Sequence, residues 1–212
     1  MRLRRHIMPM ICAGLLTCSV AGCATVHESP LEVNLLATPP CYRDEVYPIF
    51  VASPIDVCDL GGMERLAEYA KSRGCANTQF FVLYDDGDAE VLADRIRAIR
   101  CRNPRARILL TGFSSGCLII HDALCLLEPQ CIAVDRVCYI DSFTLKLFMR
   151  DPHPNNVGCV SLVYREKNHP PTDIPRSSVY YLKTTNHFET PTDPRTVHVV
   201  MSNLCQLAGC CY

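Results

Sequence analysis

The hydrophobic pattern of the chain predicts strands and helices that alternate over most of its length. Short apolar runs rich in β-branched and aromatic residues are typical of buried strands. Six such runs occur, at residues 46–53, 78–84, 106–111, 134–140, 157–164 and 178–184. Apolar residues at helical spacing predict intervening helices at residues 63–73, 89–100 and 115–127. A last helix is predicted most clearly, because Asp193 can cap it and Pro194 suits its first turn.

This alternation predicts the fold class. Strands that alternate with helices are typical of a mostly parallel sheet with helices on both faces. We therefore expect an α/β fold, a three-layer α/β/α sandwich around a sheet of about six strands. A chain of 212 residues supplies one such core and is too short for two. The predicted folded domain covers residues 45–212.

Composition narrows the classes of function. Hydrophobic residues make up 49% of the chain and charged residues 20%, which excludes a disordered or collagen-like protein. The net charge is −1 and no basic stripe occurs, so we expect no nucleic-acid partner. The chain has no Cys-x-x-Cys pair and no histidine pair at helical spacing, so we also expect no metal and no cofactor. The oligomeric state is left open.

The N-terminus has the pattern of a secretory signal peptide. Basic residues Arg2, Arg4 and Arg5 precede an apolar run at residues 7–20, and small residues follow. A transmembrane helix needs about 20 apolar residues, so the run is short for a membrane span. We predict a signal peptide over residues 1–22.

The end of this signal, Val20-Ala21-Gly22-Cys23, resembles the lipobox of bacterial lipoproteins. The resemblance implies that Cys23 becomes the new N-terminus and carries fatty acyl chains such as palmitate, which hold the protein on a membrane. Ala24 follows the cysteine, which favours the outer membrane, facing the periplasm. Residues 23–44 are then the lipidated cysteine and a tether. The alternative is plain cleavage near Ala21 and Gly22.

Export would place the remaining cysteines in an oxidising compartment, where disulfides persist. Nine of them lie near the ends of predicted elements or in loops, where bridges can form: Cys41, Cys58, Cys75, Cys101, Cys131, Cys159, Cys205, Cys210 and Cys211. Cys117, Cys125 and Cys138 lie inside apolar runs and are expected to be buried thiols. We therefore predict disulfides, with a connectivity that the sequence does not define.

The third predicted strand runs directly into Gly112-Phe113-Ser114-Ser115-Gly116, and a helix follows. In this Gly-x-Ser-x-Gly pattern the serine occupies a strained turn at the carboxyl end of a strand. The flanking glycines let strand and helix pass close together. We predict that Ser114 is a nucleophile. A tight Gly-Ser turn without chemistry is the alternative.

A serine hydroxyl needs a base to take its proton. His187 lies just past the sixth predicted strand, at the same carboxyl edge of the sheet as Ser114. The other histidines lie in the signal peptide, the tether, proline-rich loops or helices: His6, His27, His153, His169, His121 and His198. We predict that His187 is the base. The alternative is a histidine in a surface loop.

The third member of such a site is a carboxylate that orients the imidazole. Asp141 ends the fourth predicted strand at the carboxyl edge, whereas Asp135 starts that strand at the opposite edge. Glu166 and Asp173 follow the fifth strand and compete for the role. We prefer Asp141 and leave Glu166 and Asp173 as alternative acids.

The order Ser114, Asp141, His187 resembles the order nucleophile, acid, histidine of the α/β-hydrolase superfamily. The resemblance covers about residues 46–204 and implies a minimal, cutinase-sized version without the two leading strands. It implies a serine hydrolase that cleaves a carboxylic ester or related acyl compound through an acyl-enzyme. Most members carry the acid after the next strand, which keeps Glu166 and Asp173 open.

The resemblance also implies an oxyanion hole made of two backbone N–H groups. Ser115 follows the nucleophile and supplies one of them. The other comes from the loop after the first strand, where Pro54 has no amide hydrogen. We expect Ile55 to supply it, with Ser53 as the alternative.

The sequence between the fourth and fifth strands is too short for a lid domain. An open site favours a small-molecule or surface-presented ester as the substrate. A rival hypothesis is a non-catalytic envelope lipoprotein that uses a hydrolase-like scaffold for binding.

Overall fold

The computed structural model describes residues 32–53, 56, 58–82, 88–149, 151–184 and 186–209. The strands are β1 (Val46–Ala52), β2 (Gln79–Val82), β3 (Arg107–Phe113), β4 (Val134–Ile140), β5 (Val157–Arg165) and β6 (Ser177–Leu182). The helices are α1 (Glu32–Ala37), α2 (Pro40–Arg43), α3 (Met63–Ser72), α4 (Asp88–Arg102), α5 (Gly116–Leu127), α6 (Phe143–Phe148) and α7 (Pro194–Ala208). Two short 3₁₀ turns cover Glu128–Gln130 and His187–Glu189.

The strands form one six-stranded sheet in the order β2-β1-β3-β4-β5-β6. Every neighbouring pair is parallel, so the carboxyl ends of all strands lie at one edge. Helices α3 and α7 pack on one face of the sheet and α4 and α5 on the other, each with its own buried cluster. The predicted α/β three-layer fold is confirmed.

The main difference between the predicted and observed elements is α6, which lies in a predicted loop. It has six residues, fewer than two turns, so its sequence shows no helical period. Ser142 starts it, because its Oγ accepts a hydrogen bond from the Leu145 N–H at 3.1 Å. The chain between β4 and β5 therefore forms one short helix beside the sheet.

The N-terminal part of the fold differs from the predicted tether over residues 23–44. Helices α1 and α2 lie inside that segment. Leu35 of α1 is fully buried in the same core as α7. Leu35 thus anchors α1 to the domain.

Residues 1–31 lie outside the described residues. The signal peptide at residues 1–22 and the lipidation of Cys23 therefore stay predictions. In the part of the chain that the structure describes, no helix has the length and apolar character needed to cross a bilayer.

The predicted disulfides do not form among the described residues. Exposed free thiols lie on separate elements and loops, at Cys41, Cys58, Cys101, Cys131 and Cys159. Cys75 and Cys205 were expected near element ends but are buried in the core. Cys210 and Cys211 lie outside the described residues.

The prediction of buried thiols is confirmed for Cys117 and Cys138, which are fully buried. Burial raises the pKa of the Cys117 thiol to about 12, so it stays protonated and packs as a small apolar group. Cys125 is only half-buried. These thiols fill the core beside β4 and α5.

Candidate active site

The nucleophile candidate lies on the turn that joins β3 to α5. Ser114 has a φ of 53°, in the left-handed region that L-residues with a side chain rarely adopt. Three hydrogen bonds hold it there. Its N–H donates to the Ile140 carbonyl at 3.0 Å. Its carbonyl accepts from the Cys117 N–H at 3.2 Å and from Thr144 Oγ1 at 3.3 Å.

The two glycines of the pattern allow α5 to pass close to the sheet. A Cβ on Gly116 would lie 2.5 Å from the Val51 carbonyl oxygen. A Cβ on Gly112 would lie 2.8 Å from Ile120 Cδ1. The Gly116 contact is with backbone, and the backbone nitrogen of Cys117 also lies 3.0 Å from the Gly112 position, so a side chain at either glycine would push α5 away from the sheet. The predicted role of these glycines in close packing is confirmed.

Asp141 lies beside Ser114 because their strands are paired. Phe113 and Ile140, the last residues of β3 and β4, are register partners, and Ser114 and Asp141 each follow by one residue. Asp141 also has a positive φ, of 43°. Its N–H donates to the Val163 carbonyl at 2.8 Å, which fixes the turn out of β4.

The Asp141 carboxylate is fully buried and bound by three side chains. Its Oδ2 accepts from His187 Nδ1 at 2.7 Å and from Arg165 Nε at 2.5 Å. Its Oδ1 accepts from Asn168 Nδ2 at 2.6 Å. Burial acts to raise the pKa of Asp141, but the hydrogen bonds from His187 and Asn168 and the charge of Arg165 outweigh it. The pKa is therefore lowered, and the carboxylate is ionised at neutral pH.

His187 begins the 3₁₀ turn after β6, and that turn is fixed at both ends. Asn186 caps it by accepting from the Phe188 N–H at 3.1 Å, and Thr190 Oγ1 donates to the His187 carbonyl at 2.8 Å. The imidazole packs on Phe113 with ring centroids 4.6 Å apart. Because Nδ1 donates to Asp141, Nε2 is the nitrogen that is left with a lone pair for a proton.

The structure brings Ser114, Asp141 and His187 to one edge of the sheet and joins two of them directly. Asp141 and His187 share a hydrogen bond, and His187 packs on Phe113, the residue before Ser114. Within the described chain, the Ser114 hydroxyl makes no hydrogen bond to the His187 ring. Its role as nucleophile therefore stays a prediction that this arrangement supports.

The alternative acids are not placed near His187. Glu166 and Asp173 are exposed, and among the described contacts neither one bonds to that ring. Asp135 lies at the opposite edge, where its Oδ2 accepts from Arg100 Nη2 and from the Ile108 N–H, both at 2.7 Å. Of the acids considered, Asp141 alone has the contact that an orienting carboxylate requires.

One predicted oxyanion donor is described and the other is not. Ser115 occupies the N-cap position of α5, where backbone N–H groups lack intrahelical acceptors. Its Oγ lies 2.8 Å from Ser53 Oγ, which ties α5 to the loop after β1. Ile55, like Pro54, lies outside the described residues, so its role stays a prediction.

The described end of that loop is held by a buried carboxylate. Asp56 accepts from the Leu60 N–H at 2.6 Å and from the Gly61 N–H at 2.8 Å. A Cβ on Gly61 would lie 2.6 Å from the Phe113 ring, so the loop packs tightly against the residue that supports His187. This glycine therefore keeps the loop close to the candidate site.

Sequence reasoning missed the residues that support the site, namely Arg165, Asn168, Thr144 and Ser142. Arg165 ends β5 and Asn168 follows it, so their position at the carboxyl edge of the sheet was the signal that could have found them.

A small cavity of about 80 Å³ lies beside Arg165 and is lined by Arg165, Glu166, Lys167, Lys183 and Thr184. One of the side chains that bind Asp141 therefore also lines this cavity.

Exposed apolar side chains also lie near Ser114, on α6. Helix α6, whose Thr144 bonds to the Ser114 carbonyl, exposes Phe143, Leu147 and Phe148 by 56%, 65% and 57%. No further helix or strand lies between β4 and β5 in the described residues.

The described residues contain no group of three or more potential ligands that would hold a metal ion.

Comparisons with known proteins return structural matches alone. No protein-family model and no curated protein sequence matches the chain. The NocB thioesterase domain from the nocardicin cluster has a TM-score of 0.45 at 14% identity, covering 76% of this chain and 93% of that one. A serine hydrolase without a lid from Xanthomonas campestris has a TM-score of 0.49 at 14% identity, covering 77% and 82%. A Trichoderma reesei cutinase has a TM-score of 0.39 at 11% identity, covering 84% and 88%.

Proposed function

We propose that the protein is a serine hydrolase that acts on a carboxylic ester or related acyl compound. Ser114 is the nucleophile, His187 the base and Asp141 the acid. The observation that carries the proposal is the 2.7 Å hydrogen bond from His187 Nδ1 to Asp141 Oδ2, on a strand end next to the strained Ser114 turn. This bond prepares Nε2 to accept a proton.

In the proposed reaction, Ser114 Oγ attacks the acyl carbonyl carbon while His187 Nε2 takes the hydroxyl proton. The resulting imidazolium is stabilised by the ionised Asp141. The Ser115 N–H and the loop after β1 donate hydrogen bonds to the oxyanion. The protonated His187 then gives its proton to the leaving alcohol, and water hydrolyses the acyl-enzyme with His187 again as base.

We further propose that the substrate is a small or surface-presented ester. The exposed apolar face of α6 offers contact to an acyl chain, but no described element encloses it. Such a face supplies modest binding energy, because much of a bound chain would stay in contact with water.

The proposed location is the cell envelope, with Cys23 lipidated on the outer membrane and the domain facing the periplasm. The basic start, the apolar run and the sequence at residues 20–23 support this location. Metabolic labelling with an alkyne palmitate analogue tests it. We expect label in the wild-type protein and none in Cys23→Ser.

Fluorophosphonate labelling of the full chain tests the catalytic proposal, with the labelled peptide read by mass spectrometry. We expect the wild-type protein to be labelled on Ser114, and neither Ser114→Ala nor His187→Ala to react. The exposed residues Ser72 and His198 provide matched controls, and Ser72→Ala and His198→Ala should label like the wild type. A folded wild-type protein that takes no label would favour the binding lipoprotein instead.

A further inference from the structure

Two donors share one oxygen of the buried Asp141 carboxylate. His187 Nδ1 lies 2.7 Å from Oδ2, and Arg165 Nε lies 2.5 Å from the same oxygen. Asn168 occupies Oδ1 at 2.6 Å. The Arg165 side chain is only 23% exposed, so water screens its charge incompletely. The arginine therefore acts at short range on the same carboxylate that orients the imidazole.

This arrangement changes the energetics of protonating His187. An imidazole beside an isolated carboxylate gains stability when it becomes an imidazolium. Here the new positive charge would form next to the guanidinium of Arg165, and the negative charge of Asp141 is already balanced by that group. Repulsion between the two cations opposes part of the gain from Asp141.

Other charged groups near the pair do not reproduce this effect. Glu189, in the turn that contains His187, is bound by Thr184 Oγ1 at 2.7 Å and Asn186 Nδ2 at 3.2 Å. Lys183 lines the cavity beside Arg165 but makes no salt bridge to Asp141 in the described structure. Arg165 is thus the cation that directly contacts the Asp141 carboxylate.

We infer that Arg165 is a positioning residue that holds Asp141 in place and opposes the protonation of His187, which leaves the imidazole available as a base. The inference rests on the proposed function, in which His187 is the base. It predicts that removing the Arg165 charge makes His187 easier to protonate. A purely structural role for Arg165 would leave the titration of His187 unchanged in a folded variant.

The test is an NMR titration of the His187 ring in the full chain, assigned with His187→Gln. Arg165→Gln removes the charge but keeps a side-chain N–H donor, and we expect the protonation midpoint to rise by about one pH unit. Arg165→Lys keeps the charge and should stay within about 0.3 unit of the wild type. Lys183→Gln removes a nearby cation that does not touch Asp141, and should also leave the midpoint unchanged.

Ester hydrolysis gives an independent readout. The acid limb of the kcat/KM profile of Arg165→Gln should move to higher pH by the same amount. At pH values below the midpoint of that limb, kcat should fall by a larger factor than the factor by which KM changes. A folded Arg165→Gln whose midpoint equals that of the wild type would overturn the inference.

The wild-type protein supplies a second measurement if Arg165→Gln does not fold. The Arg165 Nε–H resonance should titrate with the same midpoint as the His187 ring, because both groups bond to Oδ2. A resonance that does not move would also overturn the inference. Neither NMR measurement needs turnover. A raised midpoint without ester hydrolysis would therefore reject the proposed function alone, and hydrolysis with an unmoved midpoint would reject the inference alone.

Discussion

At the scale of single residues, the candidate site depends on one buried charge. An ionised carboxylate removed from water costs several kcal/mol unless partners bind it. Asp141 has such partners in His187, Arg165 and Asn168. These contacts allow the charge to be buried. They also fix the orientation of the Asp141 carboxylate, so that Oδ2 faces the imidazole. Stability and chemistry therefore depend on the same side chain.

We predict that Asp141→Asn lowers kcat by about a thousand-fold or more, because an amide does not stabilise the imidazolium and can select the wrong tautomer of His187. We also expect a loss of about 2 kcal/mol in the free energy of unfolding, because Arg165 loses its countercharge at a partly exposed site. Ester turnover and urea denaturation measure the two effects.

The two alternative acids provide the controls for this prediction. Glu166→Gln and Asp173→Asn remove exposed carboxylates that do not contact His187 in the described structure. Both variants should retain wild-type turnover to within about two-fold. A loss in Glu166→Gln as large as that in Asp141→Asn would show that the assignment of the acid is wrong.

At this scale the sequence predicted where the candidate catalytic residues lie in the fold, but it did not predict which side chains contact them. Ser114, Asp141 and His187 each follow the end of a predicted strand, and parallel strands end at one edge, so their proximity could be predicted. The contact between Arg165 and Asp141 could not. It joins residues 24 positions apart and depends on the direction of one flexible side chain.

At the scale of elements, the junction of β3 and α5 determines where Ser114 points. We predict that Gly116→Ala destabilises the protein by about 1–3 kcal/mol, because its new methyl group would meet the Val51 carbonyl at 2.5 Å. The variant should also lose fluorophosphonate labelling, since any shift of α5 moves Ser114. Urea denaturation and labelling are the measurements. A change in unfolding free energy below about 0.5 kcal/mol would contradict the close packing.

Helix α6 supports a prediction about substrate range. Leu147 and Phe148 are more than half exposed, so Leu147→Ser and Phe148→Ser should change the unfolding free energy by less than about 0.5 kcal/mol. Each should lower kcat/KM for a hexanoate ester several-fold and leave that for an acetate ester unchanged, because the longer chain alone reaches α6. Equal losses on both esters would indicate that α6 positions Ser114 and does not bind the acyl chain.

At the scale of the whole molecule, the layered fold could be predicted because apolar strands and amphipathic helices alternate regularly. The strand order β2-β1-β3-β4-β5-β6 could not be derived from that alternation, because it depends on which strands pair in space. The attachment of α1 was missed for a similar reason. Its burial depends on Leu35, one apolar residue in a short proline-flanked segment.

The stability of the whole molecule should depend on pH through His153, which lies in the segment between β4 and β5. Burial lowers the pKa of His153 from 6.5 to about 4, and the nearby His121 adds to this effect. The hydrogen bond to the Pro154 carbonyl opposes the lowering of the pKa, as do the charges of Asp173 and Glu128. The neutral ring is well bound, since Nε2 lies 3.1 Å from the Tyr139 hydroxyl and Nδ1 lies 3.1 Å from the Pro154 carbonyl.

The unfolded chain therefore binds a proton at His153 between about pH 6.5 and 4 while the folded chain does not. We expect the free energy of unfolding to decrease by about 3 kcal/mol as the pH falls through this window, and to change little through this residue above pH 6.5. His153→Gln removes the titrating group, so urea denaturation at pH 4, 5, 6 and 7 should give a flatter dependence than in the wild type. Parallel dependences in the two proteins would show that His153 is not the group responsible. A convergence of the two curves towards pH 4 would identify its protonation as the cause of the acid sensitivity.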